Sequence, residues 1–490
     1  MELRPHQVDT IDQIKHSIRK GNRRIMVGAA TSFGKTILAA HILKSAAAKG
    51  NKGWMICDRI KLIEQSLEKF DAHGLNVGVV QGIHERHNPK ALIQIASMQT
   101  LSRRSRTPEG SIFIIDEAHI LYQWVKDLMK LYSNCIFIGL SATPYSKGLG
   151  EFYEDLIVPI TPNQLIEQGY LCKPRYFIGK QPDLKGAKSK ALPTGGSDFD
   201  PKSVESTDPI LSGDIIKNWL THGENSQTIA FCPTIAQSKW LVDQFNRAGI
   251  TAEHIDGYMD TEDREALYTA HDRGEYKILS CSQLLNTGYD SPTTKCLIDC
   301  YPTKSIISFC QRVGRIMRTH ESKEYCIYLD HAGNVHRHGR QEDIVPDCLH
   351  DGVEEYKERE LTKEKKEPKV KGCPQCYQPF TGISCACGYE IPIHDQMEND
   401  GSELVELDDS TVAGKRNRTA SKEDKEQFLA GLKKHARSKG FKDGWVNHTY
   451  RDYFSVWPNK IKAVDIGEIP AEVLGFIKHK NIKNAKRSAA

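Results

Sequence analysis

The sequence predicts an α/β protein with two tandem parallel-sheet lobes, followed by a small four-cysteine module and a small, mainly helical C-terminal module. Three observations lead there. Short β-branched runs alternate with helical patterns from residue 23 to about 145, the alternation restarts near residue 210, and four cysteines crowd into residues 373–387. Strands that alternate with helices form parallel sheets covered on both faces, because each crossover lays a helix on the sheet.

In the first lobe, residues 1–160, the strand runs are Arg24–Gly28, Gly53–Asp58, Leu92–Ser97, Ile112–Asp116 and Ile136–Ser141, with helical patterns at Thr36–Lys49 and Lys61–Ala72. Residues 161–209 read as an interlobe linker, since Gln181–Pro209 has little periodicity and many turn residues. The second lobe, 210–345, offers helices at Ile210–Leu220, Ala236–Ala248 and Asp263–Arg273, and strands at Thr228–Cys232, Ala252–Ile255, Lys277–Ser280 and Cys296–Cys300. A charged linker (346–372), the cysteine module (373–390), an acidic flexible linker (391–420) and a basic aromatic module (421–490) follow. Ser421 before Glu423 and Asp424 marks the start of a helix.

A chain of 490 residues is too long for one core, and 39% hydrophobic with 27% charged residues is ordinary for a globular protein. The N-terminus lacks the apolar stretch of a secretory signal, and the Leu38–Ala48 run is broken by His41 and Lys44, so export and membrane spanning are not expected. Ten of the fourteen cysteines stand singly in apolar segments, which fits a reducing, cytoplasmic compartment. The net charge of +4 hides an asymmetry: residues 411–490 carry 18 basic against 8 acidic groups. Such a tail suits a phosphate backbone.

Ala29-Ala30-Thr31-Ser32-Phe33-Gly34-Lys35-Thr36 lies between a predicted strand and a predicted helix, the setting of a phosphate-binding loop. Backbone N–H groups around Gly34 would wrap the β-phosphate, Lys35 would reach the β/γ oxygens, and the Thr36 hydroxyl would ligate Mg²⁺. Asp116-Glu117-Ala118-His119 follows an apolar strand, at the sheet edge where ligands bind. Asp116 would hold Mg²⁺ and Glu117 would position and deprotonate the attacking water.

With these pieces the sequence resembles a superfamily 2 helicase of the DEAH type, and the resemblance implies two RecA-like lobes that bind ATP between them. Arg4 and Gln7 in Leu3-Arg4-Pro5-His6-Gln7 match an adenine-reading motif, and Ala29, Thr31, Ser32, Gly34, Lys35 and Thr36 match the first ATP motif, with Ser32 where the family usually has glycine. Ser141-Ala142-Thr143 matches the third motif, and Gln311-Arg312-Val313-Gly314-Arg315-Ile316-Met317-Arg318 the sixth. Arg315 and Arg318 are thereby implied to stabilise charge on the γ-phosphate, and Gln311 to approach that phosphate or the water, linking to His119. An arginine of this kind is worth about 10³–10⁵ in rate. Gly288 and Asp290 match positions that contact the nucleotide. Arg59, Gln99, Thr100, Thr234 and Thr287 match positions that contact the nucleic-acid track, mostly at phosphates.

Cys373, Cys376, Cys385 and Cys387 form two close pairs in Gly/Pro-rich turns, a donor set for one structural Zn²⁺; a redox pair or unliganded thiols are the alternatives. Trp445, Tyr450, Tyr453, Phe454 and Trp457, interleaved with Lys and Arg, either build a small core or stack on bases, with Lys433, Lys434, Arg437 and Lys439 on an outward basic face. With Thr161–Leu171, Leu329–Asn334 and Gly444-Trp445, these features resemble the RadD-like helicases of bacteria and their phages. That resemblance implies a DNA-repair or recombination role, single-stranded or branched DNA as partner, and contact with single-stranded-DNA-binding protein. An RNA helicase and the motor subunit of a restriction system are the competing readings.

Overall fold

The structure is a computed structural model that describes residues 3–350 except 59, 105–106, 181, 183, 185–186, 193–196, 207–212, 283, 287–288 and 290. It further describes 371–372, 375, 379–380, 387, 397, 400–407, 422–441, 443–454 and scattered residues between 458 and 477. The first lobe runs α1 (Pro5–Arg19), β1 (Arg24–Gly28), α2 (Lys35–Ala47), β2 (Gly53–Cys57), α3 (Ile60–Asp71), β3 (Val77–Val80), β4 (Ile93–Ser97), α4 (Met98–Arg103), β5 (Ile112–Asp116), α5 (Gln123–Leu131), β6 (Ile136–Ser141), α6 (Leu149–Phe152), β7 (Asp155–Ile157) and α7 (Pro162–Glu167). Its strands form one sheet in the order β3-β4-β2-β5-β6-β1-β7, every pair parallel. Period-two alternation splits each strand between two buried faces. Ile25, Val27, Met55, Ile114 and Ile138 pack on one side, while Met26, Trp54, Ile56, Phe113 and Phe137 pack on the other.

The second lobe comprises β8 (Lys173–Ile178), β9 (Ser189–Ala191), β10 (Ser197–Phe199), α8 (Pro201–Ser206), α9 (Ile215–His222), β11 (Thr228–Phe231), α10 (Ile235–Arg247), β12 (Ala252–Ile255), α11 (Thr261–Asp272), β13 (Ile278–Cys281), β14 (Cys296–Asp299), α12 (Ile306–Ile316), β15 (Tyr325–Asp330) and α13 (Asn334–His338). Three short strands follow, β16 (Lys371–Gly372), β17 (Pro379–Phe380) and β18 (Val405–Glu406). The sheet order is β12-β13-β11-β14-β15-β8-β18, parallel but for β18.

Two segments read as linkers in the sequence are part of this sheet. Residues 173–178, inside the expected 161–209 linker, pair with β15 along the whole strand, Tyr325 opposite Lys173 through Asp330 opposite Ile178. Pro174 hides the strand because it lacks an N–H. It is tolerated because β18 pairs only at Phe177 and Ile178, so the strand is an edge where Pro174 sits. Residues 400–407, inside the expected acidic linker, add β18 and clamp it with two Arg175–Glu406 bonds of 2.6 and 2.8 Å. Leu404 N–H also donates to Asn218 Oδ1 at 2.7 Å.

Near the C-terminus, α14 (Lys422–Lys439) and α15 (Asp443–Phe454) pack around Phe428, Leu432, Val446, Tyr450 and Phe454, joined by Val473 and Ile477. The Phe428 and Tyr453 rings stack with centroids 3.9 Å apart. These aromatics therefore face a core, while Lys434, Arg437 and Lys439 are exposed. Among the described residues no helix is long and apolar enough to cross a membrane.

Candidate nucleotide site between the lobes

The loop after β1 is set by left-handed backbone at two positions. Gly34, the N-cap of α2, has φ of +87°, and a Cβ there would run into the Gln7 amide, so glycine is required. Ser32 has φ of +61°, an uncommon conformation for a residue with a Cβ. This explains why glycine suits that position, and serine there carries about 1–2 kcal/mol of strain. Ala29 and Phe33 are fully buried, and the Ala29 N–H donates to the Ser141 carbonyl at 2.8 Å. The α1 N-terminus lies against the loop. Gln7 Nε2 donates to the Phe33 and Gly34 carbonyls at 3.0 and 3.3 Å, and the Arg4 guanidinium donates to the Ser32 carbonyl at 2.8 Å while covering the Tyr170 ring at 4.1 Å. Arg4, Gln7, Ala29, Thr31, Ser32, Gly34, Lys35 and Thr36 are thus gathered on one loop and its neighbour.

The C-terminal end of β5 meets this loop. Lys35 Nζ donates to Glu117 Oε1 at 3.2 Å, and His119 Nδ1 lies 3.3 Å from Glu117 Oε2 and 3.0 Å from Ser141 Oγ. Ser141 Oγ also accepts from the Thr143 N–H at 3.0 Å, which joins the second and third motifs. Burial alone would raise the Glu117 carboxyl, but Lys35 and His119 hold it well below the usual range. Burial likewise opposes charge on Lys35, yet Glu117 and Asp116 raise its pKa. Asp116 moves the other way, raised by burial. Two adjacent carboxylates are thereby pushed apart, with Glu117 the more readily ionised. Glu117 also has φ of +47°, a second strained backbone at this edge.

From the second lobe, α12 reaches the same loop. A Cβ on Gly314 would stand 2.7 Å from Thr31 Oγ1, and Gln311 lines one partly open pocket with Thr31, Ala142 and Thr143. The Arg315 guanidinium donates to the Tyr289 carbonyl and lies close enough to Lys35 for its charge to act on it. Burial lowers the Arg318 pKa to about 10, and Leu171 pairs with Arg318 as an isolated antiparallel bridge.

Sequence reasoning assigned nothing to Arg312, which is fully buried and forms a 2.9 Å ion pair with Asp299. Asp299 Oδ2 accepts from the Tyr328 hydroxyl at 2.7 Å and from Asn334 Nδ2 at 2.9 Å, while Asn334 Oδ1 accepts from the Thr303 N–H at 2.9 Å. Asp330 accepts from the Asn334 and Val335 N–H groups at 2.9 and 2.7 Å. The segment Leu329–Asn334, noticed in the sequence only as a family mark, is the buried polar frame that fixes α12. No local signal marks this frame, because Asp330 ends and Asn334 follows a continuous apolar strand, and the partners of Asn334, Asp299 and Thr303, lie 35 and 31 residues earlier.

Of the residues matched to a nucleic-acid track, Gln99 and Thr100 follow β4 and Thr234 follows β11. Gln99 Nε2 donates to Asp58 Oδ1 at 3.0 Å, Thr100 Oγ1 accepts from the Gly82 N–H at 3.3 Å, and Thr234 caps α10 by accepting from the Gln237 N–H at 3.3 Å. Arg59, Thr287, Gly288 and Asp290 lie outside the described residues. So do Cys373, Cys376 and Cys385; Cys387 is exposed, and among the described residues no group of metal-ligating side chains gathers.

The type III restriction enzyme res subunit family matches residues 1–146, and the helicase conserved C-terminal domain family matches residues 212–320, one on each lobe. With the two sheets and the site between them, these matches define the class: a nucleic-acid-dependent ATPase of the superfamily 2 helicase kind. The chain is 25% identical over 385 residues to a 51.5 kDa protein of a Lactococcus phage, covering 76% of this chain and 79% of that one. It is 27% identical over 360 residues to IRC3, a candidate ATP-dependent helicase of Saccharomyces cerevisiae, covering 68% of this chain and 51% of the relative, so it spans about half of the yeast protein. In fold it is similar to a fragment of a candidate HsdR subunit of a type I restriction enzyme from Vibrio vulnificus, with a TM-score of 0.52, 20% identity, and coverage of 71% and 66% of the two chains.

Proposed function

We propose that the chain couples ATP hydrolysis to movement along, or unwinding of, DNA in repair, recombination or replication. The observation that carries this is the meeting of Gln311 and Gly314 of the second lobe with Thr31 of the first, beside the Lys35–Glu117 pair. A site built from two lobes changes with their separation, so the nucleotide state becomes a lobe movement.

The residues present fit a magnesium–triphosphate. Helix α2 begins without a side-chain cap or an acidic side chain in its first turn, which leaves N–H groups for phosphate oxygens, and Lys35 follows at once. Thr36 and Asp116 are the groups that would hold Mg²⁺, which when bound neutralises charge on the phosphates. Glu117, held ionised, is suited to orient water and accept its proton, with His119 and Ser141 fixing its position. Arg315 and Arg318 would oppose charge that grows on the γ-oxygens, and Gln311 would orient water or phosphate from the opposite lobe. Gln7 and Arg4 would read the base, and Gly288 and Asp290 would complete the pocket.

Arg59, Gln99, Thr100, Thr234 and Thr287 would follow the strand backbone. Four thiols within fifteen residues form a donor set for one structural Zn²⁺, and the basic tail would add phosphate affinity. The motif order and the tail support a RadD-like assignment, and with it contact to single-stranded-DNA-binding protein. The deciding experiment compares stimulation of ATPase turnover by matched single-stranded, forked DNA and RNA. Stimulation by DNA is expected, and stimulation by RNA alone would overturn the DNA assignment.

A further inference from the structure

Among the described residues, the two most exposed large apolar side chains are Ile83, at 107% of its reference area, and Tyr258, at 90%; the next reaches 67%. Singly, an exposed apolar residue needs no explanation. These two, however, occupy the same place in the two lobes. The strand orders β3-β4-β2-β5-β6-β1 and β12-β13-β11-β14-β15-β8 set β3 against β12 as edge strands. Val80 ends β3 and Ile255 ends β12, and Ile83 and Tyr258 each follow three residues later, directly after Gly82 and Gly257. Because both sheets are parallel, both side chains leave from the edge that also carries Thr100 and Thr234.

Each is mounted on a braced loop. In the first lobe the Gly82 N–H donates to Thr100 Oγ1 at 3.3 Å, Val79 N–H donates to the Arg86 carbonyl at 3.0 Å, and Arg86 grips Asp71 with two bonds of 2.6 and 2.9 Å. In the second lobe the Tyr258 N–H donates to Asp256 Oδ1 at 2.8 Å, and His254 Nε2 lies 3.0 Å from Asp256 Oδ2. The loop bases are tied down while the apolar tips face solvent. Neither tip offers a cation to a phosphate, and Asp256 and Asp260 beside Tyr258 disfavour one. On an edge that carries a nucleic acid, such uncharged apolar tips suit the face of a base and not a phosphate.

We infer that Ile83 and Tyr258 are a matched pair of base contacts, one per lobe, on a single-stranded DNA track. Tyr258 stacks on a base and Ile83 presses against another, so opening and closing of the cleft changes the spacing between two grips on the strand. This rests on the DNA-translocation reading above.

The test measures binding of the full chain to an oligothymidylate of about 20 nucleotides, spanning the site sizes of such tracks, and to an abasic strand of equal length. The two carry the same phosphates and differ only in bases. The wild type is expected to prefer the base-bearing strand. Tyr258→Ser should weaken thymidylate binding about tenfold and Ile83→Ser about threefold, abasic binding should hold within about twofold, and Tyr258→Trp should restore the preference. Serine variants that bind thymidylate as tightly as the wild type would overturn the inference. So would equal losses on both strands, or an effect confined to self-association of the free chain. If RNA alone stimulates the wild type, the DNA reading fails, and the same variants measured on oligouridylate still decide the base contacts.

Discussion

Lys35 Nζ lies 3.2 Å from Glu117 Oε1, so the phosphate-loop lysine and the carboxylate after β5, 82 residues apart in the chain, share one ion pair. The pair holds Glu117 ionised in a half-buried setting. Glu117→Gln is expected to lower ATP turnover by about 10²–10⁴ with ATP binding retained, and Lys35→Ala to remove both binding and turnover. Single-turnover hydrolysis and nucleotide binding separate the two; normal turnover in either variant would refute the site.

The left-handed backbone at Ser32 leads to a graded series. Ser32→Gly should keep activity and gain up to about 1 kcal/mol of stability, since relief of strain outweighs the entropy of glycine. Ser32→Val should weaken nucleotide binding at least about tenfold, because a β-branched residue resists positive φ. Thermal melting with nucleotide titration checks both, and an unchanged affinity in the valine variant would contradict the observed loop.

The Arg312–Asp299 pair, fully buried, should behave as a frame and not as a surface salt bridge. Removing one partner leaves a buried charge, so Asp299→Ala should destabilise the protein by about 3–5 kcal/mol in denaturant unfolding. A loss below about 1 kcal/mol would show that the network does not hold α12.

Burial pushes the Glu342 carboxyl up to about 7 from an ordinary 4.5, although the Tyr176 hydroxyl donates to it at 2.6 Å. The folded state therefore holds a proton that the unfolded chain releases. This contribution is complete below about pH 4.5 and is lost as pH rises through about 7, roughly 3 kcal/mol in all. Glu342→Gln keeps the acceptor for Tyr176 and removes the titration. Its denaturation midpoint should match the wild type near pH 4.5 and exceed it at pH 8; parallel curves at both values would count against this account.

The four-cysteine module should hold one zinc per chain by elemental analysis. Cys376→Ser should lower that stoichiometry, and metal-free preparations that retain protease resistance across residues 373–387 would rule the zinc site out.

Much of the candidate site is legible in the sequence because its residues sit in contiguous runs. Asp116-Glu117-Ala118-His119 after an apolar strand, and a GKT triplet before a helix, mark strand ends and helix starts by local pattern alone. β8 was not legible, because Pro174 breaks the pattern and the strand is defined by a partner, β15, about 150 residues away. The role of Arg312 was hidden for the same reason: nothing local distinguishes it from Arg315, yet one is sealed against Asp299 and the other stands beside the nucleotide loop.

By itself the sequence determined the two α/β lobes, the residue types of the candidate nucleotide site and the basic tail, since periodicity and short motifs are properties of neighbouring residues. Only the tertiary structure decided that Arg312 of the sixth motif is part of a buried frame with Asp299. It alone drew residues 173–178 and 405–406 into the second sheet and set Ile83 and Tyr258 at equivalent sheet edges. Such outcomes depend on strand order and burial, which arise from contacts between distant segments and leave no period in the chain.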